Sequence, residues 1–223
     1  MRIATRAVVG ALVAGAFAAA PAEAQITYTT QGSFTGSELA GFCTPGMATV
    51  VSCTSPNGFT LTYTGGIFGS PVPLGSPSNT QFGDFLLTTP SVPGQTVTAP
   101  SDVMFTLAIF QSSPTTGEGS VVGSIMGTVS SLPCDVNPAI TCARSSLLFR
   151  PMNTSLDIAG VHYTIDTDNG TGNINIPANQ TKTITGTVAV TATPEPASMT
   201  LLATGLIGIF GAARRRRKNK LTV

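Results

Sequence analysis

The chain contains no tryptophan, one histidine and three tyrosines among its 223 residues, and charged side chains make up only 9% of it. Each scarcity narrows the chemistry. Without tryptophan, and with most aromatics being phenylalanines at core-like positions, stacking of sugar rings on exposed aromatic faces is poorly supplied. Recognition of a sugar would have to go through hydrogen bonds, for example from Tyr28 or Tyr63. A lone histidine, His162, sits inside a strand-like run and lacks the converging nucleophile and acid that a triad requires. No C-x-x-C occurs, so a zinc site would need a cysteine-only cluster assembled from distant loops. A sustained 3.6-residue apolar repeat is also missing between Gln25 and Thr193, which removes helices as the framework of that region.

The charges that are present are unevenly placed. Arg2, Arg6, Arg214 to Arg217, Lys218 and Lys220 lie in the two tails. Between them Arg144, Arg150 and Lys182 face Glu38, Asp84, Asp102, Glu118, Asp135, Asp157, Asp166 and Asp168, a balance of −5 from three bases and eight acids. A mildly acidic central part does not suit a phosphate backbone, so no nucleic-acid partner is expected. The terminal basic clusters read instead as targeting signals.

Residues 1–24 follow the order of a secretory signal peptide: basic start, uncharged run from Ala7 to Ala20, then Ala22-Glu23-Ala24. Small residues at Ala22 and Ala24 place the cut before Gln25. Such an export route leads to an oxidising compartment, where Cys43, Cys53, Cys134 and Cys142 would pair. Three connectivities are possible; the local one, Cys43 with Cys53 and Cys134 with Cys142, is preferred because each pair brackets a short loop with proline and turn formers.

Residues 25–192 alternate short Thr/Val/Ile-rich runs with Pro/Gly/Asn clusters, the pattern of strands and turns. In Phe59-Thr60-Leu61-Thr62-Tyr63-Thr64 large apolar residues alternate with threonines, so one face packs and the other meets water. Further strands are expected at Phe82 to Thr88, Val103 to Gln111, Val121 to Val129, Ser145 to Phe149, Val161 to Asp166, Asn173 to Ile176 and Thr183 to Thr191, with shorter pieces at Ile26 to Tyr28 and Gly32 to Thr35. Gly69 to Thr80 and Thr89 to Ser101 read as loops. Eight to ten such strands without helices predict an all-β domain. The simplest packing is a single two-layer β-sandwich, of jelly-roll or Ig-like topology, with a barrel as the alternative.

Asp166-Thr167-Asp168-Asn169-Gly170-Thr171-Gly172-Asn173 is the most site-like stretch, because oxygen ligands on a glycine-rich turn can hold calcium. Its spacing departs from the EF-hand, and Asp/Asn/Gly is also what an ordinary turn needs, so Asp166 and Asp168 are read first as turn residues. Paired carboxylates could cut a glycosidic bond, yet no spacing singles out two of Glu38, Asp84, Asp102 and Glu118. The triplets beginning at Asn153, Asn169 and Asn179 fit the glycosylation pattern by chance in a Thr/Asn-rich chain. No cofactor is expected.

At the far end the order is Thr193-Pro194-Glu195-Pro196, an uncharged run from Ala197 to Ala213, then Arg214, Arg215, Arg216, Arg217 and Lys218. Prolines keep the entry extended, the run can enter a bilayer, and the basic cluster holds its end on the cytoplasmic side. Residues 193–218 resemble the PEP-CTERM family of bacterial sorting signals, with 219–223 as a short cytoplasmic tail. The resemblance implies recognition of Pro194, Glu195 and Pro196 by an exosortase, a membrane-embedded transpeptidase-like enzyme, in Gram-negative bacteria that make exopolysaccharide. The chain is then the substrate, anchored in the inner membrane before processing and at the cell surface afterwards. An uncut single-pass anchor is the alternative, its row of Gly205, Gly208 and Gly211 serving as a helix-packing face. For the central domain the first expectation is a structural or adhesive matrix protein. A polysaccharide hydrolase or lyase and a calcium-dependent sugar-binding module are the alternatives.

Overall fold

A computed structural model of the chain describes residues 23–36, 43–55, 58–89, 96–99, 102–130 and 146–190, together with Gly205. It divides into a unit spanning Met1–Thr191 and a second spanning Ala192–Val223. The described part of the first unit is all β: β1 (Glu23–Thr35), β2 (Val50–Thr54), β3 (Thr60–Thr64), β4 (Ile67–Pro73), β5 (Ser78–Thr88), β6 (Thr96–Thr98), β7 (Met104–Ser113), β8 (Gly117–Ser130), β9 (Ser146–Pro151), β10 (Ser155–Ile158), β11 (Val161–Ile165), β12 (Ile174–Pro177) and β13 (Thr181–Val190).

These strands form two antiparallel sheets. The first runs β12-β9-β8-β7-β1-β4, with β6 also paired to β8; the second runs β10-β11-β13-β5-β3-β2. Both outer strands of the first sheet, β4 and β12, reach β5 and β13 in the middle of the second. The sheets are therefore curled around one shared core, which is the sandwich-like, two-layer arrangement expected. Its centre is aromatic: Tyr28, Tyr63, Tyr163, Phe82, Phe85, Phe105 and Phe149 are all fully buried. Phe105 stands edge-on to Phe149 with centroids 5.4 Å apart and to Phe85 at 4.9 Å, an arrangement that places ring edges on ring faces.

Four departures from the expected strands have local causes. The two short pieces at Ile26 and Gly32 are one continuous strand, β1. Its middle inward positions are Thr30 and Gly32, which carry no large apolar side chain to mark the face. Gly32 is needed there, because a Cβ would lie 2.5 Å from the Tyr63 ring and 2.7 Å from Phe105. The segment Gly69 to Thr80 is corrected from loop to strand over its two ends, as β4 and the start of β5. Pro71 and Pro73 mislead because proline cannot donate to a ladder, but β4 is an edge strand with β1 as its one partner, where that loss is tolerated. Within Thr89 to Ser101, β6 pairs Val97 with Val129, a run of three residues too short to show alternation. Finally, β2 and β10 are strands that the alternation does not single out.

A bulge in β5 explains why Phe82 and Phe85, three apart, both point inward. Thr183 faces Asp84 and Thr185 faces Gln81, so Phe82 and Gly83 together oppose the single residue Ile184. The extra residue sits at Gly83 with φ +116°, a conformation that favours glycine.

Candidate functional site

The stretch from Asp166 to Asn173 carries the chain from β11 in the second sheet to β12 in the first. Backbone bonds close it: Asp168 N–H donates to Asn173 O at 2.8 Å and Thr171 N–H donates to Asp168 O at 3.0 Å. Asn169 takes φ +51°, which asparagine tolerates better than most residues. The Asp168 carboxylate then ties the turn to the sheets, accepting Asn175 N–H at 2.6 Å through Oδ2 and Lys182 Nζ at 2.6 Å through Oδ1. Burial alone would raise its pKa, but the hydrogen bonds from Lys182 and Asn175 and the ammonium charge outweigh it, and the carboxyl is held below the ordinary 3.8. Asp166 N–H extends the neighbouring ladder, donating to Thr185 O at 2.9 Å. The Asp168 carboxylate thus has a turn-building role, while Asp166 continues the β13 ladder through its backbone. Among the described residues no group of three or more His, Cys, Asp or Glu side chains is arranged to hold a metal.

His162 Nδ1 and Asp157 Oδ1 are 2.8 Å apart across the β10–β11 pair, with side chains 44% and 78% exposed. This is a solvent-facing cross-strand pair on the outer face. Of the acids weighed for glycoside cleavage, Asp84 and Glu118 lie on different sheets. Asp84 lies on β5 and accepts Thr183 Oγ1 at 2.6 Å. Glu118 is in the other sheet, opposite Phe110 on β7, roughly 25 Å of strand from Asp102. Glu38 lies outside the described residues.

Tyr28 and Tyr63 are corrected from possible sugar contacts to core residues, since both side chains are buried. Their hydroxyls serve the interior: Tyr28 bonds Thr80 Oγ1 and donates to Gln81 O at 2.7 Å, and Tyr63 donates to Phe82 O at 2.6 Å. Burial pushes the Tyr28 phenol up to about 12, and it raises Tyr63 and Tyr163 further. Tyr163 donates to Gln111 Oε1 at 2.8 Å, and Gln111 Nε2 donates to Thr115 O at 2.8 Å. A buried glutamine is satisfied in this way, as burial of a polar group demands. The alternation of β3 puts Tyr63 on the packed face with Leu61, but it says nothing of the backbone carbonyls, Gln81 O and Phe82 O, that the Tyr28 and Tyr63 hydroxyls reach.

What the second sheet presents to solvent is hydroxyl-rich. With Leu61, Tyr63, Ile184 and Val188 inward, β3 turns Thr60, Thr62 and Thr64 outward and β13 turns Thr181, Thr183, Thr185 and Thr187 outward. Between them β5 shows Asp84, Leu86 and Thr88, paired with Thr64, Thr62 and Thr60. Thr54 and Thr60 hydroxyls bond each other at 3.0 Å. The face combines a dense hydroxyl lattice with few charges. The three glycosylation-like asparagines have structural roles: Asn153 Nδ2 donates to Ser155 O at 3.2 Å, Asn169 takes the φ +51° of the turn, and Asn179 N–H donates to Leu87 O at 2.6 Å while its side chain binds Thr89.

Cys43 and Cys53 are disulfide-bonded. They face each other in an isolated antiparallel bridge, and Thr44 N–H donates to Ser52 O at 2.8 Å. The bond therefore pins a short segment along the outer side of β2, the edge of the second sheet, where an open strand would otherwise be available for unwanted pairing. Cys134 and Cys142 lie outside the described residues. So do residues 1–22 of the leader, Pro194, Glu195, Pro196, the run from Ala197 to Ala213 apart from Gly205, and Arg214 to Lys218. Ala24 and Gln25 are described, and both belong to β1: Ala24 faces Val72 and Gln25 faces Pro71.

Residues 192–217 match the family profile of the PEP-CTERM protein-sorting motif. Neither curated proteins nor solved structures contain a match to the chain. The motif implies export, anchoring in the membrane before cleavage, processing by an exosortase and then a place at the cell surface.

Proposed function

From a chain whose tail is an exosortase sorting signal, we propose an exported surface or extracellular-matrix protein of a Gram-negative bacterium, structural or adhesive in role and associated with exopolysaccharide. The observation that carries this reading is the match at residues 192–217 directly behind a self-contained β unit. In it the unit is cargo, and Pro194, Glu195 and Pro196 are the address. Arg214 to Lys218 stop translocation so that the apolar run lodges in the inner membrane, and the exosortase then releases the β unit from it.

Three features support a non-enzymatic task. Asp84 and Glu118 lie on different sheets, His162 is engaged by Asp157 in solvent, and the turn carboxylate Asp168 is committed to Lys182 and Asn175. A hydroxyl-lined, charge-poor face on the second sheet suits contact with a hydrated, hydroxylated polymer through many weak hydrogen bonds. The disulfide suits a protein that must last outside the cell.

Replacing Glu195 by Ala in a host with an exosortase tests the reading. Accumulation of the larger, membrane-bound form is the expected result. Mature protein of unchanged size and location would leave the uncut anchor as the better account.

A further inference from the structure

Cleavage after Ala24 makes Gln25 the first residue of the exported unit, and this new end is not a loose tail. It lies two strand positions inside β1, between β4 and β7. Its carbonyl oxygen accepts Ser113 Oγ at 2.8 Å. The residue opposite it, Pro71, has no N–H to offer. The very next residue, Ile26, is fully buried, as is Tyr28 two further on. Gln25 itself is exposed. Its side-chain nitrogen lies over Gly69, 3.6 Å from where a Cβ would stand, so the amide rests on bare backbone.

We propose that Gln25 is a modification site, at which the α-amine freed by cleavage closes on the residue's own side-chain amide to give an N-terminal pyroglutamate. The inference rests on the reading of the cut. The amine nitrogen attacks Cδ, a five-membered lactam C–N bond forms, and the bond from Cδ to the amide nitrogen breaks. That nitrogen leaves as ammonia, taking up the proton the amine gives up; no oxidant, reductant or co-reactant is needed. Attack within one residue has the high effective concentration of an intramolecular reaction. An α-amine with a pKa of about 7.7–8.0 is partly neutral, and so nucleophilic, near neutral pH.

The consequence follows from the position of the end in the fold. Stepwise trimming by an aminopeptidase would remove Ile26 and then reach Tyr28, taking core side chains out of β1. A lactam end has no free amine for such an enzyme, which protects the first strand of a protein destined for the cell surface.

Mass analysis of the N-terminal peptide of the full-length protein exported by its host tests this. The expected peptide begins at residue 25, is lighter than the unmodified peptide by one ammonia, and resists Edman degradation until pyroglutamyl peptidase is added. Gln25→Ser should give a free amine at the same cut and faster trimming by added aminopeptidase. A free amine on Gln25 overturns the inference and upholds the cut; a first residue other than Gln25 overturns both. A synthetic peptide beginning Gln-Ile-Thr-Tyr is carried through the same handling, and equal cyclisation of that peptide assigns the lactam to workup and overturns the inference.

Discussion

Removing the Cys43–Cys53 bond, by Cys43→Ala together with Cys53→Ala, should lower stability by an amount the fold sets. The two residues are 10 apart in sequence, and closing a loop of that size in the unfolded chain removes entropy worth about 2.7 kcal/mol at 25 °C. Cys53 is 4% exposed, so truncating its side chain adds up to about 1 kcal/mol for the small void left in the core. An exported unit of about 170 residues has an unfolding entropy near 0.36 kcal/mol/K, which converts this loss into a melting shift of roughly 8–10 °C. Thermal unfolding followed by far-ultraviolet circular dichroism, without reductant so that any other bridge stays intact, measures it. The strand signal before melting should be unchanged, because the bond ties down a segment at the edge of β2 and not the central strands. A shift under about 2 °C would refute the claim that the bond is formed in the folded protein and constrains this loop.

Two glycines should respond differently to the same added methyl. In Gly186→Ala the Cβ would stand 1.9 Å from Thr164 O and 2.7 Å from the Phe82 ring, so the β11–β13 ladder must shift, costing about 3 kcal/mol or more. Gly75 has φ +79° and open space around it, so Gly75→Ala should cost only about 1 kcal/mol of backbone strain; equal melting temperatures would contradict the packing of β13. Asp168→Asn removes a carboxylate whose pKa is lowered by folding. The wild-type advantage should therefore be present at neutral pH, and it should be lost as the pH falls below 3.8 through the folded value. With both partners about a third exposed, the gap should stay under about 1 kcal/mol, and urea titrations at several pH values would measure it.

Strands with uninterrupted alternation were legible from sequence alone. In β3, Leu61 and Tyr63 alternate with threonines, and in β13 Ile184 and Val188 stand against Thr181, Thr183, Thr185 and Thr187; each pattern fixes a buried face. Alternation failed where the buried position holds a small or polar residue, as at Thr30 and Gly32. It also failed where the Gly83 bulge changes its phase, and where edge placement permits Pro71 and Pro73. The local disulfide was legible because its two cysteines flank one turn. The roles of Tyr28, Tyr63 and Asp168 were not, since each depends on a partner on another element: Gln81 comes near Tyr28 only when the two sheets pack, Phe82 near Tyr63 when β3 pairs with β5, and Lys182 near Asp168 when the turn settles against β13. The sorting signal stood out most clearly because its information is linear, an order of motif, apolar run and basic cluster that needs no folding to be recognised.

Whether the tail is removed decides the central claim. The C-terminal residue of the surface-located protein should be determined by intact mass in a host with its exosortase and in the same host with that enzyme deleted. The account predicts an end at or near Pro194 to Pro196 in the first and the full chain to Val223, retained in the membrane, in the second. Full-length protein in both hosts would contradict it.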